Sequence, residues 1–284
     1  MRVAIPDLVS PSYFPLIAAV ELGFLEAKLD LIYPVTRTYE ELREGRLDLV
    51  GGAAHAPLYA FRDWQGCRLL CALAQNMYWF LVTQKQLNIR KLSEVKGLRI
   101  GAAPGPADGL KQMLKREGID AQVGPVPGAV GEKASFGLMA AQALHEGKID
   151  AFWANGMGAE IAVRNGAGAV LLDVRRDGSD EWKGYTFPAL VARADVDPEM
   201  AHRAILAVNA AHDLLRKDPA RATGIGRKLF PPAEADLIAE LIRRDLPYYD
   251  ATISQKAFAS MNRFAEELGL LSKRVSYEDV VWKD

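Results

Sequence analysis

The sequence predicts an α/β protein of two lobes, each a mostly parallel sheet flanked by helices, with a helical C-terminal region. Three observations carry this. One stretch of the chain recurs later in a second copy, strand-like and helix-like runs alternate in both copies, and beyond about residue 194 the pattern turns helical.

The first copy opens on Arg2-Val3-Ala4-Ile5-Pro6, a short apolar run that leads into the loop Ser10-Pro11-Ser12-Tyr13. Residues 12–27 follow with Phe14, Ile17, Ala18, Leu22 and Leu25 spaced for one helical face. Residues 29–34 read as the next strand. Residues 40–53 then read Glu-Glu-Leu-Arg-Glu-Gly-Arg-Leu-Asp-Leu-Val-Gly-Gly-Ala. Gly45 suits the left-handed position that closes a helix, and Asp48 precedes the buried strand Leu49-Val50. The second copy opens on Arg99-Ile100-Gly101-Ala102-Ala103, with a helix over 106–117 and a strand at 121–123. Residues 142–155 read Gln-Ala-Leu-His-Glu-Gly-Lys-Ile-Asp-Ala-Phe-Trp-Ala-Asn, which repeats the helix end, the glycine at Gly147, the aspartate at Asp150 and the apolar strand. Two further strand-like runs, 78–82 and 187–191, flank the second copy and are expected to carry the chain between lobes. Helices are expected over 198–216, 219–229, 232–245 and 254–268, several opening on a proline in the first turn, with Gly269 closing the last.

Composition narrows the function. Lys and Arg number 35 against 36 Asp and Glu, a net charge of −1 that favours neither a nucleic-acid backbone nor an anionic membrane as partner. No apolar run approaches the roughly 20 residues that span a bilayer, so direct membrane insertion is not expected. If 67–71 is a strand, Cys67 and Cys71 share one face about 13 Å apart, too far for a disulfide. They read as buried free thiols, which leans towards a reducing compartment. Met1 stands directly before the first strand-like run. The expectation is either a periplasmic protein whose leader was removed, or a leaderless cytoplasmic one.

In open parallel sheets, ligands bind where strands end and loops lead into helices, and free N–H groups at helix starts attract polar or anionic groups. Four loops fit. Ser10, Ser12 and Tyr13 precede the first helix, where the serines serve either as helix caps or as ligand contacts. Gly52, Ala53 and His55 follow the first Asp-strand unit, the glycines allowing either a tight turn or a close ligand approach. Ala103, Pro104 and Gly105 precede the 106–117 helix without the Gly-Lys-Ser/Thr ending of a phosphate loop. Trp153 and Asn155 end the repeated strand, as cleft wall and ligand donor or as core and turn residues. Asn76 and Tyr185, near the two lobe crossings, are expected to face the same region. With Ala, Gly and Tyr abundant and no clear Arg or Lys at these loops, a strongly charged ligand held by salt bridges is disfavoured. A small aromatic or heterocyclic acid, or a sulfonate, would fit.

The catalytic alternatives are thin. Histidine occurs four times, with no HExxH, no i,i+4 pair and no Cys/His cluster, so no metal or cofactor is expected. His145 and His202 read as solvated or packing residues, as does His212. His55 alone belongs to a candidate loop, as a ligand contact or as a general acid/base.

Ser12-Tyr13-Phe14-Pro15-Leu16-Ile17-Ala18-Ala19-Val20-Glu21-Leu22-Gly23-Phe24-Leu25, Gly45-Arg46-Leu47-Asp48-Leu49-Val50-Gly51-Gly52-Ala53 and Gly147-Lys148-Ile149-Asp150-Ala151 resemble the nitrate/sulfonate/taurine-type ABC-transporter solute-binding proteins. That superfamily also holds a thiamine-pyrimidine synthase. The resemblance implies a type-II periplasmic-binding-protein-like fold, with residues 1–80 plus 189–284 as lobe 1, residues 81–188 as lobe 2 and the ligand cleft between them. It implies a small-molecule ligand captured by lobe closure and an ABC-importer permease as partner. A cytoplasmic enzyme on the same fold, a decarboxylase or pyrimidine-synthase-like protein with His55 as acid/base, remains the alternative. So does a cytoplasmic ligand sensor. The Cys-rich motif of the thiamine-pyrimidine synthases is not visible in this sequence.

Overall fold

A computed structural model of the chain describes residues 1–127 and 135–283. The elements run β1 (Arg2–Ile5), α1 (Phe14–Glu21), β2 (Lys28–Leu31), α2 (Val35–Arg43), β3 (Leu49–Ala53) and β4 (Cys67–Ala72). Then come β5 (Phe80–Gln84), β6 (Arg99–Ala102), α3 (Pro106–Arg116), β7 (Gln122–Gly124), α4 (Phe136–His145), β8 (Ala151–Ala154), α5 (Gly156–Arg164), β9 (Gly168–Asp173), α6 (Val174–Asp177) and α7 (Asp180–Lys183). The chain closes with β10 (Pro188–Arg193), α8 (Pro198–Lys217), α9 (Arg221–Leu229), α10 (Pro232–Asp245), α11 (Gln255–Glu267) and α12 (Tyr277–Val280). It divides into two compact units, Met1–Asn76 with Gly184–Asp284, and Met77–Lys183.

Both units are built to one plan. The first sheet has the order β2-β1-β3-β10-β4 and the second β7-β6-β8-β5-β9. β1 pairs in parallel with β2 and β3, as β6 does with β7 and β8. The fourth strand of each sheet, β10 or β5, is antiparallel to both of its neighbours. These are the strands laid down just after the chain passes from one unit to the other, so each sheet is four parallel strands with one reversed. Such strands are covered on both faces and read as continuous apolar runs. Every residue of β3 and of β8 is buried.

The repeated sequence explains the repeated pairing. The Arg2 backbone N–H donates to the Asp48 carboxylate at 2.7 Å, and the Arg99 N–H donates to Asp150 at 2.9 Å. The Asp48 and Asp150 N–H groups return bonds to the Arg2 and Arg99 carbonyls at 3.0 and 2.9 Å. The arginine side chains complete each clip, donating to the Arg46 and Lys148 carbonyls, both at 2.9 Å. Two matches far apart in sequence are thus the two halves of one contact, made once in each unit at the N-terminal edge of its parallel strands.

Several elements are shorter than their apolar periodicity predicts. The 12–27 helix spans only Phe14–Glu21. Gly23 takes a φ of 73° and the Leu25 N–H bonds back to the Ala19 carbonyl at 2.9 Å, a glycine-closed end that keeps Leu25 buried outside the helix. The predicted 29–34 strand stops at Leu31, because Pro34 already stands at the entry of α2. In α2 the buried face is Val35, Thr38, Tyr39 and Leu42, helical spacing against β3. α8 buries Ala201, Ala204, Ala207, Val208 and Ala211, small residues that let it lie close on α1. Both cysteines are buried, and neither forms a disulfide. Among the described residues no helix is long and apolar enough to cross a membrane.

The second clip is the more heavily bonded, since the Arg99 guanidinium also meets the Asp150 carboxylate at 2.7 Å. Its hydrogen bonds hold the Asp150 carboxyl below the usual carboxylate range. The stabilisation is therefore present above an ordinary aspartate pKa and lost as the pH falls through the lowered value. We expect Asp150→Ala to cost about 1–2 kcal/mol in urea unfolding at neutral pH, and the gap to the wild type to narrow as the medium is acidified towards about pH 3.

Candidate functional site

The register of each sheet sets which residues reach its C-terminal edge. In the second unit Ala102 of β6 lies beside Trp153 of β8, and Phe80, the first residue of β5, lies between Ala154 and Asp173. In the first unit Ala53 of β3 stands opposite Pro188, the first residue of β10, with Ala189 opposite Ala72 of β4. The loops that leave or enter these edges carry the residues proposed from sequence. Ser10, Ser12, Tyr13, Gly52, Ala53, His55, Asn76 and Tyr185 fall at the first edge. Ala103, Pro104, Gly105, Trp153 and Asn155 fall at the second.

At the first edge His55 is buried, its Nδ1 lying 3.0 Å from the hydroxyl of buried Thr186. The Phe264 ring of α11 stands edge-on to His55 at 5.3 Å and stacks on Tyr185 at 4.5 Å. Imidazole, hydroxyl and two rings thus form one cluster from three separate segments. Neither Ser10 nor Ser12 caps α1, whose N-cap is Tyr13 with no side-chain cap bond. The Ser10 hydroxyl is fully buried and meets no hydrogen-bond partner among the described residues. Asp7 and Tyr33 join this edge. Burial, and then the Asp7 carboxylate, push the Tyr33 hydroxyl above its ordinary value.

At the second edge Trp153 is fully buried and gives its indole N–H to the Pro106 carbonyl at 2.9 Å, which ties β8 to the start of α3. Its ring lies 6.0 Å from Trp79, which in turn lies 4.9 Å from Tyr78. Gly105, at a φ of 86°, turns the chain into α3 with Ala103 buried and Pro104 exposed. The Asn155 side-chain oxygen accepts from the Met157 and Gly158 N–H groups and so caps α5. A methyl group on Gly158 would meet the Gly137 carbonyl at 2.6 Å, so the starts of α4 and α5 touch backbone to backbone.

These edges can be set beside known proteins. Residues 10–222 match the family described as NMT1/THI5 like. The chain belongs to that family. A search of the curated proteins finds no match to the sequence. Among solved structures, a protein from Bordetella bronchiseptica RB50 superposes with a TM-score of 0.79 at 18% identity, over 100% of this chain and 94% of its own. The alkanesulfonate-binding protein SsuA from Xanthomonas axonopodis pv. citri, bound to MOPS, gives 0.75 at 17% identity over 99% and 97%. The periplasmic aliphatic sulphonate binding protein SsuA from Escherichia coli gives 0.70 at 16% identity over 100% and 92%. This NMT1/THI5-like chain therefore has the two-lobed periplasmic-binding-protein fold.

Two sequence expectations about the NMT1/THI5-like site need correction. Gly51 and Gly52 do not open the backbone to a ligand. A methyl on Gly51 would come within 2.5 Å of Leu16, and one on Gly52 within 2.6 Å of the Tyr39 hydroxyl, so the protein's own α1 and α2 side chains fill that space. The edge is also not devoid of cations. Arg175, two residues beyond the end of β9, is the only lysine or arginine among the buried residues described, and its guanidinium lies 5.8 Å over the Tyr78 ring. Arg175 lies outside the four loops singled out from sequence. The one available signal was the apolar run 168–172 before it, which marks a strand end.

Behind the first edge stands a support that sequence reading had no means of finding. The Tyr249 hydroxyl donates to the Pro11 carbonyl at 2.6 Å, and its ring stacks 5.4 Å from His212. His212 is itself buried in α8, with Nε2 2.8 Å from the Leu73 carbonyl. A carbonyl only accepts, so this bond places a proton on Nε2. The Gln75 side chain donates to the Asp250 and Thr252 carbonyls at 2.9 and 2.8 Å. Burial lowers the His212 pKa to about 4, against which the Leu73 bond is a smaller effect.

Two outcomes follow from this geometry. Gly52→Ala should cost about 1–3 kcal/mol in denaturant unfolding, with Tyr39→Phe in the same chain restoring part of the loss, since the hydroxyl it removes is the nearest clashing atom. His212 is neutral in the folded state and charges more easily when unfolded. Its contribution is therefore complete above about pH 6.5 and lost as the pH falls towards 4, roughly 3 kcal/mol in all. His212→Gln keeps a donor for Leu73 and should flatten the fall of Tm over that window.

Proposed function

We propose that this protein is a solute-binding protein that captures one small organic molecule, a sulfonate or a small aromatic or heterocyclic acid, for an ABC importer. Working in the periplasm, it would close its two units on the ligand, each contributing the loops at its own C-terminal sheet edge. The observation that carries this is the presence of a like edge in each of the two units, in a chain of this family. Each combines helix starts, whose N–H groups favour polar or anionic groups, with aromatic walls, a common recipe for a small-molecule site. The likeness to two sulfonate-binding SsuA proteins puts sulfonates first among the ligands to try. Ser10, Ser12, Tyr13, Ala53, His55, Asn76 and Tyr185 would serve from the first edge. Ala103, Pro104, Gly105, Trp153 and Asn155 would serve from the second, with Trp153 and Asn155 acting mainly by holding helix starts in place.

The test is a thermal-shift screen of small sulfonates, carboxylates and neutral analogues, followed by calorimetry and mass spectrometry of the recovered compound. A true ligand at about 100 times its Kd adds roughly 2.7 kcal/mol, a Tm rise of several degrees, and is recovered unchanged. His55→Ala should weaken binding by about 10-fold or more, as expected for loss of one polar contact at a buried site. Consumption of the compound, abolished by His55→Ala, would instead establish an enzyme with His55 as acid/base.

A further inference from the structure

Two opposite charges are buried two residues apart in sequence at the end of β9. Asp173 and Arg175 are both more than nine-tenths buried, at 6% and 2% exposure. Their place in the sheet is fixed, because Asp173 stands in register with Phe80, itself in register with Ala154. The turn after β9 therefore opens at the same edge as the starts of α3 and α5. Arg176 donates to one oxygen of the Asp173 carboxylate at 2.6 Å, which pins the group. The other oxygen, also buried, meets no hydrogen-bond donor among the described residues. A buried carboxylate oxygen left without a donor is costly, and such an atom in a native fold calls for a missing partner. Two residues further on, Arg175 supplies a guanidinium that stays charged at any physiological pH and presents a planar fork suited to carboxylate or sulfonate oxygens. It lies over Tyr78, the first of the aromatic run Tyr78, Trp79 and Trp153.

Resting on the solute-binding reading above, we infer that the turn after β9 reads the charge pattern of the ligand. Arg175 receives its acidic group, and the second oxygen of Asp173 accepts a hydrogen bond from an N–H or O–H donor on the same molecule. The ligand class is then a flat aromatic or heterocyclic acid that carries an amino or hydroxyl substituent. Arg176 is a positioning residue, acting through Asp173.

The experiment uses the full chain and matched probes: benzoate, 2-aminobenzoate and 2-aminobenzamide, with benzenesulfonate, 2-aminobenzenesulfonate and its sulfonamide as a second series. Calorimetry gives affinities, and the Tm of each unliganded variant checks folding. At least one amino-substituted acid should bind, its neutral amide about 10- to 100-fold more weakly, matching the loss of a charged hydrogen-bond pair. Arg175→Gln should erase the preference for acid over amide, whereas Arg175→Lys, which keeps the charge and loses the fork, should retain part of it. Asp173→Asn should remove the preference for the amino-substituted acid over the plain acid. Amides binding as well as acids, or Arg175→Gln keeping the acid preference, would overturn the inference. A broad screen that finds a solute of another class, with no response to any acid, would sink the inference and leave the solute-binding reading intact. No binding of any solute would sink both.

Discussion

An aspartate carboxylate bonded to the first N–H of the neighbouring strand, made once by Asp48 on Arg2 and again by Asp150 on Arg99, sets the register on which both sheets rest. A strand displaced by one residue would turn its whole apolar set to the opposite face. By fixing where β1 meets β3 and where β6 meets β8 at one edge, each clip also fixes which residues emerge at the other. That is why Ala53 and His55, or Trp153 and Asn155, arrive beside the loops that precede α1 and α3. The clips lie at one edge of each sheet and the candidate site residues at the opposite one, where parallel sheets generally place their ligands.

The reversed strands β5 and β10 add a second constraint. Each begins at the C-terminal edge of its sheet, so the residues just before it, Tyr78 and Trp79 in one unit and Tyr185 and Thr186 in the other, are delivered to that edge of their own sheet. The entering segments are where the aromatic side chains and the Thr186 hydroxyl cluster. In the first unit the C-terminal helices reinforce them. Phe264 backs His55 and Tyr185, while Tyr249 and His212 hold Pro11 and Leu73 by single hydrogen bonds to backbone carbonyls. Neutral His212 in an apolar setting supports the site only while it stays unprotonated, so the stability of this edge is linked to pH.

Much of this was written locally. The Glu-Gly-basic-aliphatic-Asp repeat marks a helix end closed by a left-handed glycine, and Gly45 and Gly147 adopt φ values of 74° and 70°. Alternating apolar runs gave the order of elements, because burial of a strand or a helix face leaves a period in the sequence. Errors arose where the same local signal serves two ends. Leu22 and Leu25 continue a helical spacing, yet Leu25 packs from beyond a glycine turn. Gly51 and Gly52 read as room for a ligand, yet the room is taken by Leu16 and Tyr39.

From the sequence alone came the fold class, the duplication, and the position of the loops that follow the strands, since each depends on neighbours within a few residues. Only the tertiary structure decided which polar groups are buried and what they touch. Thr186 reaches His55 across 131 positions, and Tyr249 reaches Pro11 across 238. Arg175 stands among charged residues in sequence, yet it is a buried cation with its guanidinium over the Tyr78 ring. Burial of a charge is a property of what packs over it, and chain-distant packing leaves no period to read.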